Sequence, residues 1–322
     1  MIYGLPYKGR KNAIAAELVQ QMPPARVFVD LFCGGCAVTH AAMLSGKWER
    51  FVANDIDGRM PRMFADAAAG KYANETRWIS REDFFRLKDT DPYVAVCWSF
   101  GSNMTNYLYS VESEPWKRAL HHARVLGDRS LLREFGINGD GGKRDILSHA
   151  REYSDKYIRW YLANVPHGDA DFVTLRRPQN LSRVQNLERL RAVQSLRDLR
   201  NLERLRIVQS LEGLRNLEKL EIRGGDYRDL PIPEGATVYA DIPYRATSGY
   251  TEEGFDHAAF YDWCRTREFP VFVSEYHMPD DFVPLWKKHK TSTFAGSGRH
   301  KKTIECLFVH ERFFDQTKTT LF

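Results

Sequence analysis

Arg26-Val27-Phe28-Val29-Asp30-Leu31-Phe32-Cys33-Gly34-Gly35-Cys36-Ala37-Val38, followed by Phe51-Val52-Ala53-Asn54-Asp55, sets the fold class. Residues 26–30 form a short apolar run that ends on a carboxylate, which reads as a buried strand. Two glycines follow, in a loop where a ligand can approach the backbone. Residues 37–45 then read as a helix, and 51–55 as a second strand ending in acid. Strand, glycine loop, helix and acid-terminated strand make the nucleotide-binding half of a doubly wound parallel sheet. The loop lacks the spacing G-x-G-x-x-G, so a nicotinamide or flavin site is not supported. Asp55 lies about twenty residues beyond the loop, where a carboxylate can hold ribose hydroxyls.

The other end of the chain continues the pattern. Thr237-Val-Tyr-Ala-Asp241 reads as a strand, 242–251 as a loop, 257–268 as a helix, and 271–274 and 303–309 as strands. Residues 1–57 and 222–322 are therefore expected to build one α/β catalytic domain. Residues 58–221 are expected to interrupt it as an inserted recognition region, since loop insertions are well tolerated and often carry function.

Among the 322 residues, 43% are hydrophobic and 28% charged, which is ordinary globular usage. No apolar run approaches the ~20 residues of a membrane span, and no signal-peptide pattern opens the chain. Five cysteines, an odd number, fit a reducing cytoplasm better than a disulfide scaffold. Cys33-x-x-Cys36 has no second pair, so neither a metal nor a redox role is expected. The net charge is +5, yet residues 176–223 alone carry twelve basic and six acidic side chains. A basic stripe in an otherwise near-neutral chain is the electrostatic footprint of nucleic-acid binding, although a charge run is as often a solvated face.

That stripe repeats every 15 residues: Asn186-Leu-Glu-Arg-Leu-Arg-Ala-Val-Gln-Ser-Leu returns as Asn201-Leu-Glu-Arg-Leu-Arg-Ile-Val-Gln-Ser-Leu and begins again at Asn216. Within the repeat segment, 178–221, aliphatic residues recur every third position. Three residues turn a helix by ~300°, so such a stripe circles one long helix. A small solenoid-like stack with an asparagine at each turn is expected, with broken helices as the alternative.

Tyr239-Ala-Asp241-Ile242-Pro243-Tyr244 carries the chemistry. Adenine N6 is a poor nucleophile because its lone pair is delocalised into the ring. The Asp241 carboxylate and the Ile242 carbonyl can accept its two hydrogens and favour a pyramidal nitrogen. Tyr244 offers a face for a flipped-out base, and Pro243 stiffens the loop. The sulfonium of S-adenosylmethionine is already electrophilic, so no metal is required.

The sequence resembles the Dam-like (D12 class) DNA adenine-N6 methyltransferases, in their phage-type form. The resemblance rests on Pro6-Tyr7-Lys8-Gly9-Arg10-Lys11, Asp30-Leu-Phe-Cys-Gly-Gly, Asn54-Asp-Ile-Asp, Gly225-Asp226-Tyr227, Asp241-Ile-Pro-Tyr and Arg299-His-Lys-Lys with Glu305, in the family's order. Trp98-Ser-Phe-Gly-Ser-Asn103 with Tyr107 adds a phage-type segment. The resemblance implies a Rossmann-like methyltransferase sheet, S-adenosylmethionine as cofactor and duplex DNA as substrate. It also implies a monomer in the cytoplasm of a bacterial or phage-infected cell. By position, Tyr7, Lys11, Asp30, Phe32, Gly34, Asp55, Asp226 and Tyr227 would line the cofactor, and Asp241, Ile242, Pro243 and Tyr244 would form the catalytic motif. Asn103, Tyr107, Arg299, Lys301 and Lys302 would contact DNA, with the repeat on phosphate. Three positions depart from the pattern: Ile242 stands for a proline, and Arg10 and Cys36 stand for glycines, where bulk is expected to crowd the cofactor. The competing readings are cytosine-N4 methylation, an RNA substrate, and a binding protein with a decayed site whose repeat contacts another protein.

Overall fold

The computed structural model describes residues 1–111, 113–135, 200–244, 255–293 and 300–315. The chain divides into two compact units, Met1–Ala73 with Ile207–Phe322, and Asn74–Arg206.

The first unit is a seven-stranded sheet. Its strands are β1 (Val27–Asp30), β2 (Arg50–Asp55), β3 (Leu220–Gly224), β4 (Thr237–Asp241), β5 (Val271–Glu275), β6 (Phe282–Thr293) and β7 (His300–His310). They lie in the order β3-β2-β1-β4-β5-β7-β6. The first five run parallel, and β7 is antiparallel to both β5 and β6. The parallel sheet is the doubly wound one expected from the glycine loop, and it is consistent with the Rossmann-like methyltransferase sheet that the resemblance implies. The central strands read as continuous apolar runs because both their faces are buried. Val29, Val238, Ala240 and Val273 pack with Phe260, Tyr261 and Cys264, which lie on the helix His257–Thr266.

Helix α1 (Ala15–Gln21) packs against α2 (Ala37–Ser45), and α3 (Arg59–Ala68) packs on β2 and β3. Because α3 buries Met60, Met63 and Phe64, it belongs with the sheet, beyond the boundary expected at residue 57.

The second unit is helical where it is described. It holds α4 (Arg81–Leu87), α5 (Pro92–Cys97) and α6 (Glu114–His121). Ser80 and Asp91 cap α4 and α5 by accepting from the backbone N–H groups of Asp83 and of Tyr93 and Val94. Trp78, Trp98, Tyr107, Tyr109 and His121 form its aromatic core.

The described part of the repeat corrects the solenoid expectation. Residues 200–209 form α7 (Arg200–Gln209), followed by a short 3-10 turn at Leu217–Lys219 and then the edge strand β3. Leu202, Leu205 and Val208 are buried. Two three-residue steps drift the stripe by only ~120°, which one helix face accommodates. Asn201 forms no ladder: its Oδ1 accepts from the Tyr109 hydroxyl at 2.7 Å. Arg204 is 9% exposed and donates to the carbonyls of Cys97 at 3.1 Å and Ser99 at 2.6 Å. It braces the second unit rather than facing phosphate. Residues 178–199 lie outside the described residues.

Candidate active site

The sheet order reverses between β1 and β4. In open α/β sheets, ligands bind outside the carboxyl ends of strands at such a switch point. A cavity of about 300 Å³ lies there. Its walls include Asp30 at the end of β1, Asp55 at the end of β2, Asp241 at the end of β4 and the Gly34–Gly35 loop.

Local geometry explains the loop. Cys36 takes the left-handed conformation (φ 57°, ψ 33°) as the N-cap of α2, which is why a glycine suits that place better. Its side chain is buried away from the cavity wall, so it does not crowd a ligand there. The Gly34 N–H donates to Asp55 Oδ2 at 2.8 Å, and Asp57 N–H donates to Asp55 Oδ1 at 2.9 Å. Burial nonetheless pushes the Asp55 carboxyl up.

The N-terminal segment crosses this loop. Leu5 N–H donates to the Gly35 carbonyl at 2.7 Å, and a Cβ on Gly35 would stand 2.6 Å from Tyr7 Cβ. Gly4 N–H donates to His40 Nδ1 at 3.0 Å, so that nitrogen is the unprotonated one. Burial holds His40 down at about 4.

Lys11 ends the segment at the catalytic loop. Its Nζ lies 2.6 Å from Asp241 Oδ1, 3.5 Å from Glu305 Oε1 and 4.5 Å from the Tyr244 ring centre. Burial alone would lower the Lys11 ammonium, but the two carboxylates outweigh it and the net direction is up. Lys11, expected beside the cofactor, lines the cavity with Asp30, Gly34 and Asp55 and pairs there with Asp241 and Glu305. The Tyr244 hydroxyl donates to Glu305 Oε1, and burial drives the phenol well above its ordinary range. Ile242 is 2% exposed, its side chain anchored in the core beneath the cavity. Aliphatic burial there supplies the rigidity that a proline would otherwise give. His257 Nε2 donates to the Pro243 carbonyl at 2.7 Å, which fixes the next residue of the loop.

Tyr276, Ile56 and Arg10 are among the wall residues that were not expected as site residues. Tyr276 packs edge-on to Tyr244 with ring centres 4.6 Å apart. Ile56 presents an apolar side chain that is 74% exposed. Arg10 also lines the cavity. The available signal for Ile56 and Tyr276 was their position: each directly follows the carboxylate that ends a parallel strand, β2 or β5.

Other expected residues are not brought to the cavity wall. Tyr227 is buried 5.2 Å from Phe32, ring centre to ring centre, and supports it from behind. Asp226 caps a short turn and pairs with Arg228, which holds its carboxyl below the usual range. In the second unit, Asn103 Oδ1 closes a tight turn by accepting from Thr105 and Asn106 N–H, both at 3.0 Å. Tyr107, expected on DNA, is buried, and its hydroxyl donates to the Ile79 carbonyl at 2.7 Å. Lys301 and Lys302 lie on β7, opposite Ser292 and Thr291. Arg299 lies outside the described residues.

All five cysteines are buried thiols, and burial raises both Cys33 and Cys36. Among the described residues, no cluster of His, Cys, Asp and Glu suits a metal ion, and no helix is long and apolar enough to cross a membrane.

The chemistry of the walls suits a nucleoside joined to an amino acid. Asp30 Oδ2 accepts from Thr39 at 2.7 Å, while its Oδ1 is buried with no hydrogen-bond partner. Burial raises its carboxyl to about 7. An orphaned buried acceptor in a cavity calls for a donor from a ligand, best a cationic one.

No curated protein matches the chain. The family model described as D12 class N6 adenine-specific DNA methyltransferase matches residues 7–73. That span runs from the segment over the glycine loop, through β1, α2 and β2, to the end of α3, and it stops short of Asp241. Over those residues the chain is similar to the D12 class N6 adenine-specific DNA methyltransferases, and the loop that follows β4 converges on the same cavity.

Proposed function

We propose that the cavity holds S-adenosylmethionine and that the enzyme methylates N6 of an adenine swung out of duplex DNA. One observation carries this reading: Asp241, at the end of β4, opens into the same cavity as Asp30, Gly34 and Asp55, at the ends of β1 and β2. A methyl donor along the first two strands and an amine at the third would meet there.

Bound S-adenosylmethionine supplies an electrophilic methyl group on a positively charged sulfur. Asp30 takes the cationic amino group of the methionine end, Asp55 the ribose hydroxyls, and Ile56 an apolar base face. Asp241 and the Ile242 carbonyl accept the two hydrogens of adenine N6. A carboxylate has about four lone-pair sites, so Lys11 can hold Asp241 while an amine also bonds to it. Lys11 fixes the carboxylate through the 2.6 Å pair with its Oδ1. Tyr244, paired edge-on with Tyr276, carries the base on its face. As N6 gains the methyl it becomes cationic, and one of its protons leaves through Asp241.

The test is transfer of labelled methyl to unmodified duplex DNA, with the product nucleoside identified by mass spectrometry. N6-methyladenine is expected, and Asp241→Asn should slow transfer by about 10²–10⁴-fold. N4-methylcytosine as product, or a wild-type rate in Asp241→Asn, would overturn the reading.

A further inference from the structure

Arg10 occupies a place the chemistry above does not use. Arg10 N–H donates to the Tyr7 carbonyl at 3.3 Å, in the turn that carries the N-terminal segment past the glycine loop. Its side chain lines the cavity, and its Nη1 is buried with no hydrogen-bond partner. Leaving one nitrogen of a guanidinium dry and unbonded costs free energy, so such a group in a cavity wall implies an acceptor that arrives with a ligand.

Beside the Arg10 donor, the same cavity holds a buried acceptor, Asp30 Oδ1. A nucleoside alone satisfies neither well. An α-amino acid end satisfies both, because it carries an ammonium and a carboxylate on one carbon. Guanidinium is the side chain best matched to a carboxylate, with a planar fork of donors. Lys11, the other buried cation of the wall, is committed to the catalytic carboxylates. Bulk at position 10, which the sequence alone read as crowding, becomes a ligand contact.

We propose that Arg10 is a cofactor-binding residue, taking the α-carboxylate of the methionine end while Asp30 takes its α-ammonium. This rests on the reading of the cavity as an S-adenosylmethionine site.

The experiment is calorimetric titration of the full chain with two ligands, S-adenosylhomocysteine and 5′-methylthioadenosine. The second keeps the nucleoside and its thioether but lacks the amino acid end. Arg10→Met removes the charge at similar length, and Arg10→Lys keeps the charge without the fork. Arg10→Met should weaken S-adenosylhomocysteine at least about tenfold and leave 5′-methylthioadenosine within about twofold, with Arg10→Lys between. Without ligand, Arg10→Met should melt at or above the wild-type temperature, because it removes an unsatisfied buried donor. Unchanged S-adenosylhomocysteine affinity in Arg10→Met overturns the proposal, including the case where only DNA binding weakens. Equal losses for both ligands overturn it too, since they would mark a structural role. A wild-type chain that binds neither ligand would overturn the cofactor reading itself, and this inference with it.

Discussion

Asp30 and His40 lie ten residues apart, and burial pushes them in opposite directions. Asp30 is raised to about 7, so the folded state holds more protons there than the unfolded chain once pH rises above ~4. A cationic group placed on its Oδ1 would pull that proton off. Cofactor binding near pH 7 should therefore release a fraction of a proton, and Asp30→Asn should abolish the release. Calorimetry in buffers of different ionisation heat measures it directly. His40 is lowered to about 4, so its contribution to stability is full above ~6.5 and is lost as pH falls toward 4. The full loss approaches about 3 kcal/mol. Unfolding followed by denaturant at pH 7 and pH 4.5 should show it, and His40→Gln, which retains an acceptor for the Gly4 N–H, should flatten the difference. Lys11 acts at the same scale on chemistry. Removing it as Lys11→Met leaves Asp241 and Glu305 facing each other without their counterion. The acid limb of the rate profile should then move to higher pH by about one to three units.

At the scale of elements, the glycine loop and the segment over it behave as one piece. A Cβ on Gly4 would stand 2.3 Å from the Gly35 carbonyl oxygen and 2.7 Å from Ala37 N, at a φ of +65°. All of these are backbone obstacles. Gly4→Ala should lift the segment, cost about 2–3 kcal/mol of stability and weaken cofactor binding together with it. Thermal melting and titration of the same protein would show whether the two losses travel together. The strands also show what was legible in the sequence and what was not. β1, β2, β4, β5 and β7 were read from apolar runs because both faces of each are covered. β3 and β6 were not, and these are the two edges of the sheet. Edge strands carry polar residues and irregularities that discourage further pairing. β6 shows both, with Lys287, Lys288 and Lys290 along it and a register shift between Pro284 and Trp286. The cavity was legible where a motif ended a strand, at Asp30, Asp55 and Asp241. Tyr276 was missed because only the folded chain shows that its position faces the same space; Arg10 was read as bulk beside the cofactor rather than as a contact.

For the whole molecule, the basic repeat has to be divided by burial. Arg204 is buried against backbone carbonyls, whereas Arg206 and Arg215 are exposed. Arg204→Ala should destabilise the protein by about 3 kcal/mol and act on DNA binding only through the fold. Arg206→Ala and Arg215→Ala should leave the melting temperature within about a degree. If the exposed arginines meet phosphate, each should lower the slope of log affinity against log salt by about 1, uniformly across DNA sequences. An unchanged slope would confine the charge to solvation.

The reactive cluster gathers Lys11, Asp241 and Glu305 from the beginning, the later middle and the last strand of the chain. β7 also lies between β5 and β6, so β6 joins the sheet only through a strand made after it. During synthesis, then, the half of the sheet around β1 and β2 can collapse early, while the Lys11, Asp241 and Glu305 cluster is complete only once β7 has emerged. Prematurely terminated products lacking β7 carry no Glu305 and no anchored far edge.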